Sequence, residues 1–90
     1  MARLFDQQAR QGQSTNITVN QDVSDLGTRG FAGMACSLTT ERSLTLFSGP
    51  GYTGEQCWIF CPPGQTRTVN TLYGFNYKAR SLFWARPFGP

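Results

Sequence analysis

The groups in this chain that could do chemistry are few, and the commonest one is missing: there is no histidine. That removes the usual general base and, with it, the Cys–His and Ser–His pairs that activate a nucleophile. Three cysteines remain, Cys36, Cys57 and Cys61. Without their usual activator they read as packing residues. Cys57 and Cys61 stand four apart in what reads as one strand, roughly 13 Å between Cα atoms at the usual rise, beyond disulfide reach unless the strand ends there. An odd count with no CxxC predicts reduced core thiols rather than a disulfide framework or a zinc site. Asp22 and Asp25 form a close acidic pair. Short carboxylates of this kind serve turns more often than acid–base work. Gly30-Phe31-Ala32-Gly33-Met34-Ala35 lacks the GxG spacing of a nucleotide loop, and no helix is expected after it. Asn16-Ile17-Thr18 fits the glycosylation sequon, a triplet that occurs often by chance, and no role is assigned to it. Neither an enzyme nor a cofactor is expected.

The elements that must carry these residues follow from an internal repeat. Leu4-Phe5, Gly12 and Ile17 recur 42 positions later as Leu46-Phe47, Gly54 and Ile59, and Gly30-Phe31, Ala35 and Ser37-Leu38 recur 44 positions later as Gly74-Phe75, Ala79 and Ser81-Leu82. Two copies fill the 90 residues, which predicts a single domain that closes by pairing its own halves. The first unit spans about 2–41 and the second about 43–85, with a short tail at 86–90. Scattered glycine and proline, scarce helix formers and common aromatic and β-branched residues predict an all-β fold of short strands and tight turns. The expected strands are Arg3–Asp6, Thr15–Val19, a poorer one around Asp22–Leu26, and Cys36–Thr40, then Leu44–Phe47, Gln56–Cys61, one near Thr66–Asn70, and Arg80–Trp84. Ser48-Gly49-Pro50-Gly51 and Pro62-Pro63-Gly64 break the runs between them.

Alternation assigns faces. Thr15, Ile17 and Val19, and likewise Cys57, Ile59 and Cys61, are expected inside, together with Leu44, Leu46, Leu82 and Trp84. Trp58, Phe60 and Phe83 then point outward from the second sheet. Three large aromatics on one outer surface predict a homodimer interface, unless the C-terminal tail covers them.

In its residues the chain resembles the βγ-crystallins. Phe47-x-x-x-x-Tyr52-x-Gly54 is similar to the family's aromatic hairpin, and Asp22-Val23-Ser24-Asp25-Leu26, Gly30-Phe31 and Ser37-Leu38 resemble its second half-motif, whose end Ser81-Leu82 repeats. The resemblance covers residues 2–84 and implies a two-sheet Greek-key β-sandwich. In this fold the third strand of each motif crosses to the other motif's sheet, and the serine bonds the folded hairpin backbone. The first copy departs at Arg10, where an aromatic is expected, so its hairpin should be covered less well.

The resemblance also implies a test for calcium. Many members bind it through two consecutive Asn/Asp, two other residues, then Ser/Thr and Ser, which supply hard oxygen ligands to a hard cation. The matching segments here are Ala32-Gly33-Met34-Ala35-Cys36-Ser37 and Asn76-Tyr77-Lys78-Ala79-Arg80-Ser81. Cys36 and Arg80 stand where the ligating hydroxyls would sit; before the final serine the first segment keeps no side-chain oxygen and the second keeps Asn76. Both sites read as degenerate, with Arg80 expected to fill its own vacated space by bonding backbone carbonyls. Calcium binding should be weak or absent.

Partners are bounded by charge. Residues 1–43 balance Arg3, Arg10, Arg29 and Arg42 against Asp6, Asp22, Asp25 and Glu41; residues 44–90 set Arg67, Lys78, Arg80 and Arg86 against Glu55 alone. Four dispersed cations do not make a patch, so no nucleic-acid partner is expected. No apolar run approaches the roughly 18–20 residues of a membrane span, and the N-terminus lacks the apolar core, about 7–15 residues, of a secretory signal. A cytoplasmic protein is expected, secreted if a leader was removed. The reading that results is a non-enzymatic structural or stress-type βγ-crystallin; the alternative is a secreted binding module of the same fold, such as a protease inhibitor or killer toxin.

Overall fold

Strands form here where apolar and polar residues alternate. The computed structural model describes residues 1–19, 21–62, 64–72 and 74–85. Its seven strands are β1 (Ala2–Phe5), β2 (Ser14–Ile17), β3 (Ser37–Thr40), β4 (Leu44–Gly49), β5 (Thr53–Ile59), β6 (Arg67–Val69) and β7 (Ser81–Trp84). They make two antiparallel sheets, ordered β2-β1-β3-β6 and β5-β4-β7. Two single 3₁₀ turns, Gln8–Arg10 and Leu26–Arg29, are the helical segments among the described residues. No helix there is long and apolar enough to cross a membrane.

The inward residues meet between the sheets. Leu4, Ile17 and Leu38 come from the first sheet, Leu44, Leu46, Ile59, Leu82 and Trp84 from the second, and Leu26, Phe31, Leu72 and Phe75 close the core from the loops. Burying each such side chain contributes about 1.5–3 kcal/mol. Val19 and Cys57 pack against this core at its margin, and Cys61 is buried. Trp84 satisfies its indole by donating Nε1 to the Gln21 carbonyl at 3.1 Å, so its burial leaves no orphan donor.

The two halves exchange backbone. β6 leaves the second half to pair with β3 in register Leu38↔Val69, Thr39↔Thr68 and Thr40↔Arg67. In return Val23 bridges Leu82 beside β7, with N–H to carbonyl bonds of 2.9 Å in both directions. This is the crossing that the family resemblance implies.

Several expected bounds shift because other groups take the ladder's hydrogen bonds. The strand expected around Asp22–Leu26 shrinks to the single Val23 bridge. Asp22 Oδ1 accepts the Trp84 N–H at 2.8 Å and Asp25 Oδ1 accepts the Gly27 N–H at 2.8 Å, so side chains take the bonds a longer ladder would use. β2 stops at Ile17 instead of Val19, because Thr18 opens a turn by accepting Gln21 N–H at 3.1 Å. β5 begins at Thr53, since the hairpin continues past a bulge between Phe47 and Gly49 to pair Gly49 with Thr53. It ends at Ile59, where Cys61 N–H finds the Ser43 hydroxyl (2.8 Å) in place of a carbonyl.

Candidate functional site

The first candidate is a pair of loops that the exchange brings side by side. Gly33 N–H donates to the Ala79 carbonyl at 2.8 Å, and Tyr77 N–H donates to the Ala35 carbonyl at 3.1 Å. Both Gly33 and Tyr77 take left-handed backbone, with φ of 67° and 60°. Two further bonds, Leu26 N–H to Arg80 carbonyl (2.7 Å) and Leu72 N–H to Cys36 carbonyl (2.9 Å), lock each loop onto the other half. The positions the sequence singles out, Cys36, Asn76 and Arg80, therefore lie on two adjoining loops.

Their chemistry is poor for a hard cation. Cys36 is buried, and its thiol points at the Met34 carbonyl (3.7 Å) and hydrogen-bonds the Tyr77 side chain. That bond above all, with desolvation and the nearby Asp6 carboxylate adding to it, holds the Tyr77 phenol above its ordinary range. In the second loop Asn76 Oδ1 is buried with no hydrogen-bond partner. It is one hard oxygen, where calcium takes six to eight. Arg80 Nη2 lies 3.7 Å from where a side chain at Gly33 would begin, so a permanent cation leans across from one loop to the other. It lies there without a hydrogen bond to a backbone carbonyl among the described residues, unlike the arrangement expected from sequence. That fixed positive charge would repel a divalent ion in the loop where a ligand should attract it, and one amide oxygen does not make up a calcium coordination shell. The residues present do not fit calcium. Among the described residues no three Cys, Asp or Glu side chains come together either.

The second candidate is the outer face of the second sheet. Register puts Trp58, Thr45 and Phe83 in one row across β5, β4 and β7. Trp58 is 77% exposed, Phe60 69% and Phe83 39%. The structure divides these three. Trp58 and Phe60 stand at the β5 margin, the indole fixed by donating Nε1 to Gln56 Oε1 at 2.7 Å. Phe83 instead meets Tyr52 edge-on, centroids 5.3 Å apart, and Tyr52 meets Phe47 at 5.9 Å. The sequence pairs Phe47 with Tyr52 and turns Phe83 outward, but the Phe83–Tyr52 contact is not expected from it. Tyr52 reaches it because its own backbone is left-handed, φ 63°, which folds the hairpin back over the sheet.

That folded hairpin is pinned from below. Ser81 Oγ accepts Tyr52 N–H (3.1 Å) and donates to the Gly49 carbonyl (2.7 Å); Ser37 Oγ does the same with Arg10 N–H (3.0 Å) and the Gln7 carbonyl (2.7 Å). Both serines are fully buried. Arg10 is exposed where Tyr52 is half-buried, so the first hairpin has the thinner cover. The cysteines are free, and burial pushes the Cys57 thiol up. Cys61 Sγ donates among the carbonyls of Thr40 (3.5 Å) and Gln65 (3.3 Å). Asp25 serves the turn bond described above, Asp22 instead bonds Trp84 N–H from the other half, and Asn16 accepts Arg3 Nε at 2.7 Å on the outer face of the first sheet.

No protein-family model matches the sequence, and no curated protein matches it. Solved structures do match. A βγ-crystallin from Ciona intestinalis is similar at TM-score 0.78 and 20% identity, covering 93% of this chain and 98% of that one. A βγ-crystallin domain from Flavobacterium johnsoniae is similar at TM-score 0.78 and 16% identity, covering 99% and 98%. An archaeal βγ-crystallin is similar at TM-score 0.76 and 12% identity, covering 93% and 95%. Two exchanged sheets, two serine-pinned hairpins and these likenesses agree, and the chain has the βγ-crystallin fold.

Proposed function

We propose that this chain is a non-enzymatic structural or stress-type domain that self-associates through the outer face of its second sheet, with calcium loops that are degenerate. The observation that carries the reading is the pair Trp58 and Phe60, 77% and 69% exposed on one sheet margin. Burying both rings from two copies would remove on the order of 600 Å² of apolar surface, roughly 15 kcal/mol gross, against about 4–15 kcal/mol for lost freedom on association. The balance allows a modest dimer. Cys36 and Arg80 in the paired loops support the absence of calcium from this role.

Sedimentation equilibrium from micromolar to millimolar concentration tests it. The parent should dimerise and a Trp58→Ser, Phe60→Ser double variant should not. A parent that stays monomeric throughout refutes the self-association.

A further inference from the structure

The sheet margins of this fold are short or occupied, with one exception among the described residues. β2 is four residues long, and its Asn16 carbonyl accepts Arg29 Nη1 at 3.0 Å. β6 is three residues long. The β7 side is met by the Val23 bridge. β5 is the exception: seven residues, the longest strand described, at the open margin of its sheet.

The direction of its backbone groups can be worked out. Glu55 N–H and Cys61 N–H turn toward β4, donating to the Ser48 and Ser43 hydroxyls at 2.7 and 2.8 Å. Alternation then turns the N–H and C=O groups of Gln56, Trp58 and Phe60 outward. The Phe60 carbonyl accepts Arg67 Nη1 at 3.3 Å, which places that guanidinium on the open margin. The backbone groups of Gln56 and Trp58 have no partner among the described residues. A long edge with open backbone groups is a template for another strand.

We infer that the occupant is a second copy of this chain: β5 pairs antiparallel with β5 of the second copy about a twofold axis at Cys57, joining the two sheets into one. This rests on the self-association proposed above but places the contact at the β5 edge, beside Trp58 and Phe60, instead of across the face. A strand related to itself by a twofold axis across the edge is antiparallel. Centring the axis on Cys57 sets Gln56 opposite Trp58 of the second copy, and the reverse, so the open groups satisfy each other. It also sets Phe60 opposite Gly54 of the second copy, where no side chain obstructs the ring. Charge complementarity selects this occupant. Glu55, the sole acid of residues 44–90, lies at one end of the edge and Arg67 at the other; Lys78 Nζ stands 3.6 Å from Glu55 Oε2, but both side chains are exposed, so the carboxylate can still take a second cation. The antiparallel pairing brings each Arg67 beside the Glu55 of the other copy, twice by symmetry.

Charge exchange tests the register. Glu55 and Arg67 are both exposed, so Glu55→Arg and Arg67→Glu should each fold, checked by circular dichroism melts. Each variant alone should dimerise at least tenfold more weakly than the parent, because like charges meet twice. An equimolar mixture should recover the parent's affinity, because each Arg then meets a Glu. In the parent, the amides of Gln56 and Trp58 should exchange hydrogen at least tenfold more slowly at millimolar than at micromolar concentration. If the parent dimerises but the mixture fails to recover and those amides exchange alike at both concentrations, the edge pairing is overturned while self-association through the face stands. A parent monomeric at millimolar concentration overturns both.

Discussion

Gly54 sits where the folded hairpin leaves least room, and replacing it separates two physical costs. Its φ of 83° lies in the left-handed region, which costs an L residue about 1–2 kcal/mol. A Cβ at Gly54 would land on the Ser48 hydroxyl and come within 3.2 Å of the Gly49 nitrogen. Ser48 is not free to yield, because its Oγ accepts Glu55 N–H at 2.7 Å. Swinging that hydroxyl aside loses a hydrogen bond, about 1 kcal/mol. Gly54→Ala should therefore cost about 2–3 kcal/mol in all. Gly51 is the control: its φ is 66°, but a Cβ there meets nothing within 4 Å. Gly51→Ala should carry only the backbone cost. Guanidinium denaturation of the two variants reads the difference, about 1 kcal/mol, which is roughly 4–8 °C in Tm for a domain of this size. Equal losses in the two variants would mean that the Ser48 contact carries no energy, and a Gly54→Ala variant as stable as the parent would remove the hairpin geometry itself.

Three further outcomes are expected. Arg80→Ser removes the fixed cation beside Gly33 and supplies a hydroxyl to the loop that holds the unpartnered Asn76 Oδ1, so calcium affinity by titration calorimetry should rise at least tenfold over the parent; identical heats for the two proteins would discredit the guanidinium as the block. Ser81→Ala deletes a fully buried hydroxyl and strands both Tyr52 N–H and the Gly49 carbonyl, a loss of about 2 kcal/mol by chemical denaturation, and a neutral result would contradict the pinning role. Cys57 and Tyr77 hold their protons more tightly folded than unfolded, so the stability they contribute is whole below their ordinary values of 9.0 and 10.0 and is lost as pH rises through the raised values. Denaturation between pH 7 and 11 should show an alkaline decline whose first part is shallower in Cys57→Ala, and an unchanged profile in that variant would assign the decline elsewhere.

Period-two patterning made the sandwich legible, since Ile17, Ile59, Leu44, Leu46, Leu82 and Trp84 all turn inward as alternation requires. The strand at Asp22–Leu26 was less legible. Whether a carboxylate replaces a ladder bond depends on a partner 62 residues away, Trp84 N–H, which no local pattern encodes. The same holds for Phe83: alternation turns it outward, but only the left-handed turn at Tyr52 brings a ring over it. Arg80 shows the limit from the other side. Its type announced a positive charge in place of a ligand, yet that the charge reaches across to Gly33 depends on the pairing of two loops 44 residues apart.

That pairing also determines what half of this chain can do alone. A fragment ending at Arg42 keeps β1, β2 and β3 but loses β6 from the edge of β3. It also loses the partners of Val23, Leu26, Gly33 and Cys36, which lie at Leu82, Arg80, Ala79 and Leu72. The fragment beginning at Ser43 loses in turn the Val23 bridge on β7 and the Asp22 carboxylate on Trp84 N–H. Each piece then opens an apolar face that only the other covers, at a length near the roughly 40 residues below which a chain seldom folds without staples. Neither fragment should show a cooperative melt by circular dichroism, and an equimolar mixture should regain one, with a midpoint that rises with concentration because association now supplies the core. A cooperative transition in the first fragment alone would show that the exchanged backbone bonds are not what holds the halves in their fold.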